Sequence, residues 1–326
     1  MAGVSKENLN EATRALYTRA AFYYYKRGLT QEEIAKRLQM SRQRVNRILG
    51  ECLELGIVEI RIHGDDSNYM EVETRIEKHY GLKAVRVVSG VTPENIYSEL
   101  GLHAGRYLAE VIRDGDVIGF SRGRTLSGLV SQLPTIDHKN LVAVQLMGGW
   151  NNRQNTVSGD DIVHRFSERV PVNNTIMLYA PVLLQNRQLR DTIVQEPYFT
   201  RAYEVIQSCT IAVLGIGWVG KNALLPAAYE EDFNSSLPKE VAGEVCAHFY
   251  DVEGRPVASE FDDRIISVGR EDLMKIPLRI GVAGLESKLS AILGAVRGGY
   301  INVLVTDAET ALALNKEAME AEAAKK

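Results

Sequence analysis

The feature that most constrains the fold is an alternation of short apolar runs and helical stretches that begins near Lys83. The runs predict strands at Ala84–Val88, Asp116–Ser121, Leu141–Met147, Thr175–Tyr179, Ile211–Ile216, Leu278–Val282 and Ile301–Thr306. Helical spacing separates most of them, at Asn95–Arg113, Thr125–Leu133, Asp160–Val170, Arg187–Val194, Pro197–Cys209, Leu285–Arg297 and Ala308–Met319. Cys246–Val268 is richer in strand pattern and predicts a hairpin or an antiparallel edge. This order predicts an α/β fold with a mainly parallel sheet, whose ligands bind beyond the carboxyl ends of the strands.

A second pattern, two short helices joined by a tight turn, lies in Thr30–Cys52. One face of each helix is apolar, with Ile34, Ala35 and Leu38 on the first and Val45, Ile48 and Leu49 on the second. Thr30 and Ser41 stand where N-caps are expected, and Glu33 completes a capping box with Thr30. The pair predicts a helix-turn-helix, and the alternative is an ordinary helical hairpin with a solvated basic face.

The second helix of this pair leaves basic and amide side chains outside its apolar face. Such side chains pair with base edges or hold phosphates, so we expect the helix to enter the major groove of double-stranded DNA. The predicted DNA contacts are Thr30, Gln31, Ser41, Arg42, Gln43, Arg44, Asn46 and Arg47. The alternating run Ile57–Ile62 predicts a strand directly after the helix, as in a winged helix-turn-helix.

Charge is divided unevenly along the chain. The 326 residues carry a formal net charge of −4. Residues 1–63 contain 11 Lys and Arg against 7 Asp and Glu, whereas the remainder contains 27 against 35. A basic end on an acidic body is typical of a small DNA-reading module joined to a second domain. We therefore predict a DNA-binding domain at residues 1–63, a linker helix within 64–81 and a second domain at 82–326.

Composition favours an ordinary globular protein over several other classes. Apolar residues make up 45% of the chain and charged residues 25%, which is enough for a sizeable core. The three cysteines have neither the spacing of a zinc site nor that of a disulfide framework. The first residues lack the apolar region of a signal peptide, and no apolar run approaches membrane-spanning length. We expect a cytoplasmic protein without a membrane partner.

The loop that follows the second predicted strand has the chemistry of an anion site. At the start of a predicted helix it offers two hydroxyls, a glycine and an arginine, which are Ser121, Gly123, Arg124 and Thr125. Free N–H groups at a helix start and a closely approaching backbone bind phosphate well. Arg122 adds a second positive charge. The alternative is a capped strand–helix turn with solvated arginines.

Four later loops also combine glycine with polar or charged residues. Their candidate ligand contacts are Gln145, Gly148, Gly217, Glu244 and Lys288. The glycine pair that contains Gly148 allows close approach either of a ligand or of another loop. Lys288 is expected in the first turn of a helix, where the helix dipole disfavours lysine, and this favours a ligand contact over a solvated side chain. Gly215–Gly220 matches the glycine pattern of dinucleotide sites, but the prolines and polar run after it do not predict the required helix.

Two motifs of catalysis and metal binding are missing from the sequence. It contains no HExxH and no P-loop, and its six histidines show no metal spacing. Glu244 is the one acid that we can name as a candidate general base, and nothing in the sequence pairs it with an acid. We expect no catalytic residue, no metal and no cofactor. An enzyme with an appended DNA-binding domain and an architectural DNA binder remain as alternatives.

The order of parts along nearly the whole chain resembles the SorC/DeoR-type sugar-binding transcriptional regulators of bacteria. The matching segments are the helix-turn-helix at Thr30–Leu49, Glu54-Leu-Gly-Ile-Val58, Gly115-Asp-Val-Ile-Gly119, Gly123-Arg-Thr125, Gln145-Leu-Met-Gly-Gly149, Gly215-Ile-Gly217, Gly243-Glu244, Phe249-Tyr-Asp-Val-Glu-Gly254, Lys288, Ala291-Ile292 and Arg297–Asp307. No single segment is specific, but their order is.

This resemblance implies an N-terminal DNA-binding domain and a Rossmann-like effector domain, similar to sugar-phosphate isomerases and deaminases but without catalysis. The implied partners are double-stranded operator DNA and a sugar or sugar-phosphate effector, and the implied assembly is a homotetramer. Carried over by position, Gly123, Arg124 and Thr125 match the sugar or phosphate loop. Glu244 matches an acid that contacts sugar hydroxyls, and Lys288 matches a basic ligand contact.

Three positions depart from the pattern of this family. Arg122 stands where an aromatic residue often precedes the loop glycine. Thr210 stands where the family often has Asp, and Leu285 follows Gly284 where a second glycine is common. These departures bear on the identity of the sugar rather than on the fold.

Overall fold

The computed structural model describes residues 11–59, 69–149, 159–218 and 237–324. The chain divides into two compact units, Met1–Ser67 and Asn68–Lys326. Within these described ranges, no helix is long and apolar enough to span a membrane, and no group of three or more His, Cys, Asp or Glu side chains could hold a metal ion.

The N-terminal unit is helical in its described part. Its helices are α1 (Glu11–Ala21), which continues into the π-helical turn Phe22–Lys26, α2 (Gln31–Arg37) and α3 (Arg42–Glu54). Ile34 of α2 and Val45, Ile48 and Cys52 of α3 are almost completely buried. The predicted apolar faces therefore form the core of the unit, and the predicted helix-turn-helix is confirmed.

The residues directly after α3 form a turn that caps the C-terminus of the helix, and no strand begins there. Gly56 has a φ of +63°. The N–H groups of Ile57 and Val58 both donate to the Cys52 carbonyl oxygen, at 2.9 and 3.0 Å. Such bonds satisfy carbonyl groups that the end of a helix leaves without partners. The predicted strand Ile57–Ile62 is not formed at residues 57–59, and residues 60–62 lie outside the described part, so the wing stays a prediction.

The second unit is built on a parallel sheet. In its described residues seven strands pair, namely β1 (Ala84–Val88), β2 (Val117–Phe120), β3 (Leu141–Gln145), β4 (Val172–Ile176), β5 (Ile211–Gly215), β9 (Leu278–Val282) and β10 (Val303–Asp307). Their order is β1-β10-β9-β5-β2-β3-β4, and every pairing in this sheet is parallel. The predicted α/β fold is confirmed, although several strand ends lie a few residues from their predicted positions.

Helices cover both faces of this sheet. They are α4 (Met70–Tyr80), α5 (Ile96–Val111), α6 (Arg124–Ser131), α7 (Gly159–Arg169), α8 (Arg187–Val194), α9 (Pro197–Gln207), α10 (Arg270–Lys275), α11 (Leu289–Arg297) and α12 (Ala308–Ala323). Successive residues of a central strand enter different apolar clusters. Leu304 packs in one cluster, and Val303 and Val305 pack in the other. This alternation is expected of a sheet that is buried on both sides.

The order of the strands changes direction between β2 and β5. From β2 the chain moves outward through β3 to β4, and it then returns to the other side of β2 to form β5. A crevice opens beyond the carboxyl ends of two strands whose connections diverge in this way, and doubly wound sheets bind ligands there. Ser121 and Ile216, which follow β2 and β5, therefore mark the expected place of a site.

A second, antiparallel sheet contains β6 (Gly217–Trp218), β7 (Gly243–Val245) and β8 (His248–Tyr250). Cys246 and Ala247 connect β7 to β8, and their φ values are +52° and +63°. A two-residue hairpin turn of type I′ needs positive φ at both positions, which non-glycine residues adopt at a cost. The sequence predicts a hairpin within Cys246–Val268, whereas the observed hairpin begins earlier, at Gly243.

The helix predicted as a linker packs on the second unit. Ile76 of α4 is fully buried. The carboxylates of Glu73 and Glu77 accept hydrogen bonds from the N–H groups of Val87 and Val85, at 2.7 and 2.8 Å. Because β1 is an edge strand, these bonds occupy N–H groups that another strand would otherwise pair with. Helix α4 is therefore a fixed part of this unit, and residues 64–68 of the predicted linker lie outside the described part.

Helices α5 and α6 meet at two glycines. A Cβ at Gly128 would lie 2.2 Å from the Tyr97 carbonyl oxygen, and a Cβ at Gly101 would lie 2.5 Å from the Gly128 carbonyl carbon. Backbone contact at these distances leaves no room for a side chain. The contact ties the helix that begins at the predicted anion loop to its neighbour.

Replacing Gly128 with alanine is expected to destabilise the second unit by about 1–3 kcal/mol, because the added methyl group must separate α5 from α6. The melting temperature followed by circular dichroism should fall by several degrees. Gly105→Ala on α5 is the matched control, since its Cβ would lie 3.4 Å from the Leu129 carbonyl oxygen and alanine favours a helix. Equal losses in the two variants would contradict the close packing at Gly128.

Candidate functional site

The start of α3 leaves its first-turn side chains facing outward. Ser41 Oγ accepts a hydrogen bond from the Arg44 N–H at 3.2 Å, and Thr30 caps α2 in a capping box with Glu33. Both predicted N-caps are thus present. The side chains of Arg42, Gln43 and Arg44 are exposed, so this turn can enter a groove of DNA.

Other predicted DNA contacts are held by neighbouring side chains. Gln31 Nε2 donates to Asn46 Oδ1 at 3.2 Å, which joins the two helices of the motif. Arg47 Nε lies 3.6 Å from Glu51 Oε1, and Glu51 also accepts a hydrogen bond from the Tyr17 hydroxyl of α1. This placement favours a phosphate contact for Arg47 over a contact with a base edge.

Replacing Ser41 with alanine is expected to cost the N-terminal unit about 1 kcal/mol of stability, because α3 loses its cap. Ser41→Asp is the matched variant. Its carboxylate still caps the helix but repels phosphates, so stability should be kept and DNA affinity should fall. Chemical denaturation and a gel-shift titration measure the two effects. Unchanged DNA affinity in Ser41→Asp would show that this turn does not face the DNA backbone.

A cavity of about 340 Å³ lies beyond β2 and β5, where the strand order changes direction. Its polar lining residues include Ser121, Arg122, Arg124, Thr125, Glu244, Ser287 and Lys288. Apolar walls come from residues that include Tyr97, Met147, Trp218, Phe249 and Leu285. Small-molecule sites usually combine apolar walls with a few convergent polar groups, so this cavity is the candidate ligand site.

The loop between β2 and α6 brings the predicted anion groups to the cavity. Gly123 has a φ of +130° and directly precedes α6, a backbone conformation that favours glycine. Ser121 Oγ accepts a hydrogen bond from the Gly215 N–H at 2.9 Å, which joins the ends of β2 and β5. The loop is therefore held against the carboxyl end of the sheet.

Helix α6 opens with two further predicted residues. Thr125 lies in its first turn and lines the cavity while being buried. N–H groups in a first helical turn lack partners within the helix, and together with the helix dipole they favour an anion. The Arg124 guanidinium lies 4.1 Å from the centroid of the Tyr97 ring, and this cation–π contact positions its charge at the cavity wall.

Glu244 is fixed by three neighbours. Its Oε2 accepts a hydrogen bond from the Ala247 N–H at 2.8 Å, and its Oε1 lies 4.0 Å from Arg122 Nη2. A Cβ at Gly217 would lie 2.1 Å from Glu244 Oε1, so glycine makes room for the carboxylate. Gly217 and Glu244 are register partners in β6 and β7. The structure thus joins two residues that the sequence predicts separately.

Lys288 reaches the end of β5 with its side chain. Its Nζ donates to the Ile216 carbonyl oxygen at 3.0 Å. The sequence predicts Lys288 in the first turn of an α-helix. In the structure it is instead the last residue of the 3₁₀ turn Glu286–Lys288, directly before α11. Burial lowers the pKa of Lys288; Glu244 opposes this change, and the charges of Arg124 and Arg122 add to it. An anion in the cavity would therefore stabilise the charged lysine.

Two predicted ligand residues do not line the cavity formed by the described residues. Gln145 Oε1 accepts a hydrogen bond from the Leu178 N–H at 2.9 Å, so its side chain braces β3 against the segment after β4. A Cβ at Gly148 would lie 2.6 Å from the Ala180 carbonyl oxygen, and the Gly148 N–H donates to Ile266 at 2.9 Å. The sequence left open whether Gly148 allows close approach of a ligand or of another loop, and the structure shows the approach of another loop.

Several cavity residues carry no recognisable motif in the sequence. Tyr97 comes from the first turn of α5, and it reaches the cavity because α5 packs closely on α6. Trp218 and Phe249 come from the antiparallel sheet, whose pairings join segments far apart in the chain. Arg122, which the sequence marks only as an extra charge, also lines the cavity. No local pattern reveals positions that depend on such distant pairings.

Two departures from the family pattern have structural explanations. Thr210 Oγ1 donates to Asp116 Oδ1 at 2.7 Å and so joins the segments that enter β5 and β2. Leu285 has a φ of +83°, where glycine is favoured, and its N–H donates to Asp307 Oδ2 at 2.8 Å. Leu285 therefore keeps the backbone of a glycine position while its side chain lines the cavity.

Comparison with known proteins covers both units. Residues 66–315 match the family model of a sugar-binding domain, and residues 13–67 match the model of the MarR family. The chain is 32% identical over 313 residues to the deoxyribonucleoside regulator of Bacillus subtilis, a match that covers 94% of this chain and 99% of that protein. It is 31% identical over 308 residues to the sorbitol operon regulator of Klebsiella pneumoniae, covering 92% and 98%.

A solved structure matches over nearly the same length. The crystal structure of the full-length sorbitol operon regulator SorC from Klebsiella pneumoniae matches with a TM-score of 0.70 and 30% identity, over 94% of this chain and 100% of that chain. The sugar-binding family model covers most of the chain, and the two relatives and this structure match it over more than nine tenths of its length. The chain therefore belongs to the SorC/DeoR-type family of sugar-binding transcriptional regulators.

Proposed function

We propose that this chain regulates a carbohydrate catabolism operon by binding operator DNA under the control of a sugar or sugar phosphate in the cavity. The observation that carries this proposal is the convergence of Ser121, Thr125, Glu244 and Lys288 on one cavity at the strand crossover. The chain also contains a helix-turn-helix whose first-turn basic residues are exposed. A ligand site and a DNA-reading helix in one chain are the parts that such regulation requires.

Helix α3 is the reading element in this proposal. Arg42, Gln43 and Arg44 pair with base edges, whereas Arg47 contacts phosphate. Two copies in a dimer place their recognition helices about 34–36 Å apart on a pseudo-palindromic operator. The assembly is a homotetramer formed as a dimer of dimers, and it acts in the cytoplasm.

The effector lies with its most polar group at the start of α6, where Ser121, Gly123, Arg124 and Thr125 surround it. Glu244 accepts hydrogen bonds from sugar hydroxyls, and Lys288 contributes a positive charge. Binding changes operator affinity only to the extent that the effector prefers one of two conformational states over the other.

No reaction is assigned to the cavity. Glu244 is the one acid that the sequence offers as a general base, and the described cavity lining contains no second carboxylate to pair with it. An isomerase or deaminase would turn over pentose or hexose phosphates. Incubation of the protein with such compounds should leave them unchanged, and product formation would favour the enzyme alternative.

A thermal-shift screen of free and phosphorylated pentoses and hexoses tests the effector proposal. A ligand at 100 times its dissociation constant stabilises the protein by about 2.7 kcal/mol, which gives a measurable shift. The shift should disappear in Thr125→Ala, which removes a hydroxyl from the cavity. A uniformly flat screen would contradict a sugar effector, and a hit retained at full strength in Thr125→Ala would place the ligand elsewhere.

A further inference from the structure

Asp307 is a buried acidic residue at the point where β10 ends and α12 begins, and it is 5% exposed. Its Oδ1 accepts a hydrogen bond from the Thr310 N–H at 2.9 Å, which caps α12, and its Oδ2 accepts one from the Thr310 hydroxyl at 2.7 Å. A third bond leaves this turn, because the Leu285 N–H donates to Oδ2 at 2.8 Å. One carboxylate therefore joins the start of α12 to the loop after β9.

The bond to Leu285 holds a backbone conformation that leucine adopts at a cost. Leu285 has a φ of +83° and a ψ of 139°, close to a region that glycine almost alone adopts freely. Such a conformation persists only where its surroundings hold it. A hydrogen bond to a carboxylate is stronger than one between neutral groups, so Asp307 can hold it. A Cβ at Gly284 would lie 2.2 Å from Asp307 Oδ2, so glycine lets the carboxylate reach the loop.

Leu285 in turn sets the position of Lys288. The Leu285 carbonyl oxygen accepts a hydrogen bond from the Lys288 N–H at 2.9 Å and so begins the 3₁₀ turn. Lys288 Nζ then donates to the Ile216 carbonyl oxygen at 3.0 Å. Leu285 and Lys288 both line the cavity, whereas Asp307 is not among the described residues that do. Relaxation of Leu285 to a negative φ would turn its carbonyl group away and shift both side chains.

Resting on the proposed function of the cavity, we propose that Asp307 is a positioning residue of the ligand site. It holds the strained backbone of Leu285, and through it fixes the side chains of Leu285 and Lys288 at the cavity without touching the ligand. The cap of α12 uses Oδ1, whereas the bond to Leu285 uses Oδ2. The positioning role can therefore be removed while the helix keeps its cap.

Four proteins isolate this role: the parent, Asp307→Ser, Leu285→Gly and the double variant. Serine caps a helix about as well as aspartate but has one side-chain oxygen, so α12 keeps its cap while Leu285 loses its acceptor. Glycine adopts the backbone conformation of Leu285 readily, so the turn should persist without the carboxylate. Thr310→Val is the matched control, because it removes the hydroxyl bond to the same oxygen and leaves the bond to Leu285.

The first measurement needs no ligand. Hydrogen exchange of the Lys288 amide, followed by NMR, reports whether the turn is closed. Asp307→Ser should speed this exchange roughly 10- to 100-fold, the factor that one hydrogen bond to a charged group provides. Thr310→Val should exchange as the parent does. The double variant should exchange within about twofold of Leu285→Gly, because the two changes then act independently.

The second measurement is calorimetric affinity for ribose, glucose, ribose 5-phosphate and glucose 6-phosphate. For any of these probes that binds the parent, Asp307→Ser should weaken binding roughly 10- to 100-fold. Added to Leu285→Gly, the same change should alter affinity by about twofold or less. This rescue distinguishes positioning through Leu285 from a general loss of stability, which glycine would not repair.

Three results would overturn the proposal. They are parent-like exchange and affinity in Asp307→Ser, an equal loss when Asp307→Ser is added to Leu285→Gly, and a loss that Thr310→Val shares. If Asp307→Ser does not fold, the double variant decides, since it should fold and bind as Leu285→Gly does, and its failure to fold would contradict a role through Leu285. A parent that binds none of the four probes would count against the proposed function, whereas the exchange rates would still decide whether Asp307 holds the turn.

Discussion

Replacing Arg44 with alanine is expected to weaken operator binding by about 1–3 kcal/mol, roughly 5- to 150-fold, and to relax base preference at the position that it reads. Arg44 lies in the first turn of α3, its backbone N–H is bonded to the Ser41 cap, and its side chain is exposed. The cap holds the backbone in place, so the variant loses the guanidinium without losing the helix. Gel-shift titration against operator and mutated operators, at one salt concentration, measures both effects.

Two further variants distinguish a sequence-specific base contact from the non-specific attraction between positive charge and DNA. Arg169→Ala removes one exposed positive charge from α7 of the second unit and should leave operator affinity unchanged. Arg47→Ala should weaken binding to all sequences alike and reduce the salt dependence by about one counterion, because it removes a phosphate contact. Operator affinity and base preference that are unchanged in Arg44→Ala would refute the assignment of α3 as the reading helix.

Replacing Lys288 with methionine is expected to cost about 2–5 kcal/mol of effector affinity, roughly 30-fold or more. The effector anion would lose a buried partner, while methionine fills much of the lysine volume. The ligand-free protein should be as stable as the parent or more stable, because a buried charge whose pKa burial lowers is removed. Thermal shift with and without the effector measures both quantities in one experiment.

The control for this variant is Lys316→Met. Lys316 lies on α12 with a side chain that is 79% exposed, and its change should alter neither stability nor effector affinity appreciably. A Lys288→Met protein that is strongly destabilised without ligand would indicate a structural role for the lysine. Full effector affinity in Lys288→Met would remove it from the ligand site.

The fold was open to prediction because its patterns are local. Val45 and Ile48 repeat at helical spacing, and the apolar run Leu278–Val282 coincides with an observed strand. Their positions depend on neighbours within a few residues in the chain. The rule that parallel sheets bind ligands beyond the carboxyl ends of their strands indicated the loops that line the cavity. The strand order that places the cavity between β2 and β5 comes from the structure.

The details of the cavity depend on contacts between distant segments. Gln145 lies at the carboxyl end of β3, as a ligand residue should, yet its amide oxygen accepts a hydrogen bond from the Leu178 N–H because β3 and β4 are neighbours. Arg122 becomes a cavity residue only when β7 places Glu244 opposite it. Ser121, by contrast, was predictable, since the end of β2 and the start of α6 hold it within a short loop.

In the proposed regulator, a ligand in the cavity controls DNA binding by α3. Operator affinity of the parent and of Lys288→Met, each with and without a stabilising sugar phosphate from the screen, tests this control. We expect the ligand to change the operator affinity of the parent by about 5- to 150-fold. Without ligand, Lys288→Met should bind the operator as the parent does, and adding the ligand should not change its affinity. A ligand that binds the cavity but leaves operator affinity unchanged would exclude control by the cavity, as would a full response in Lys288→Met.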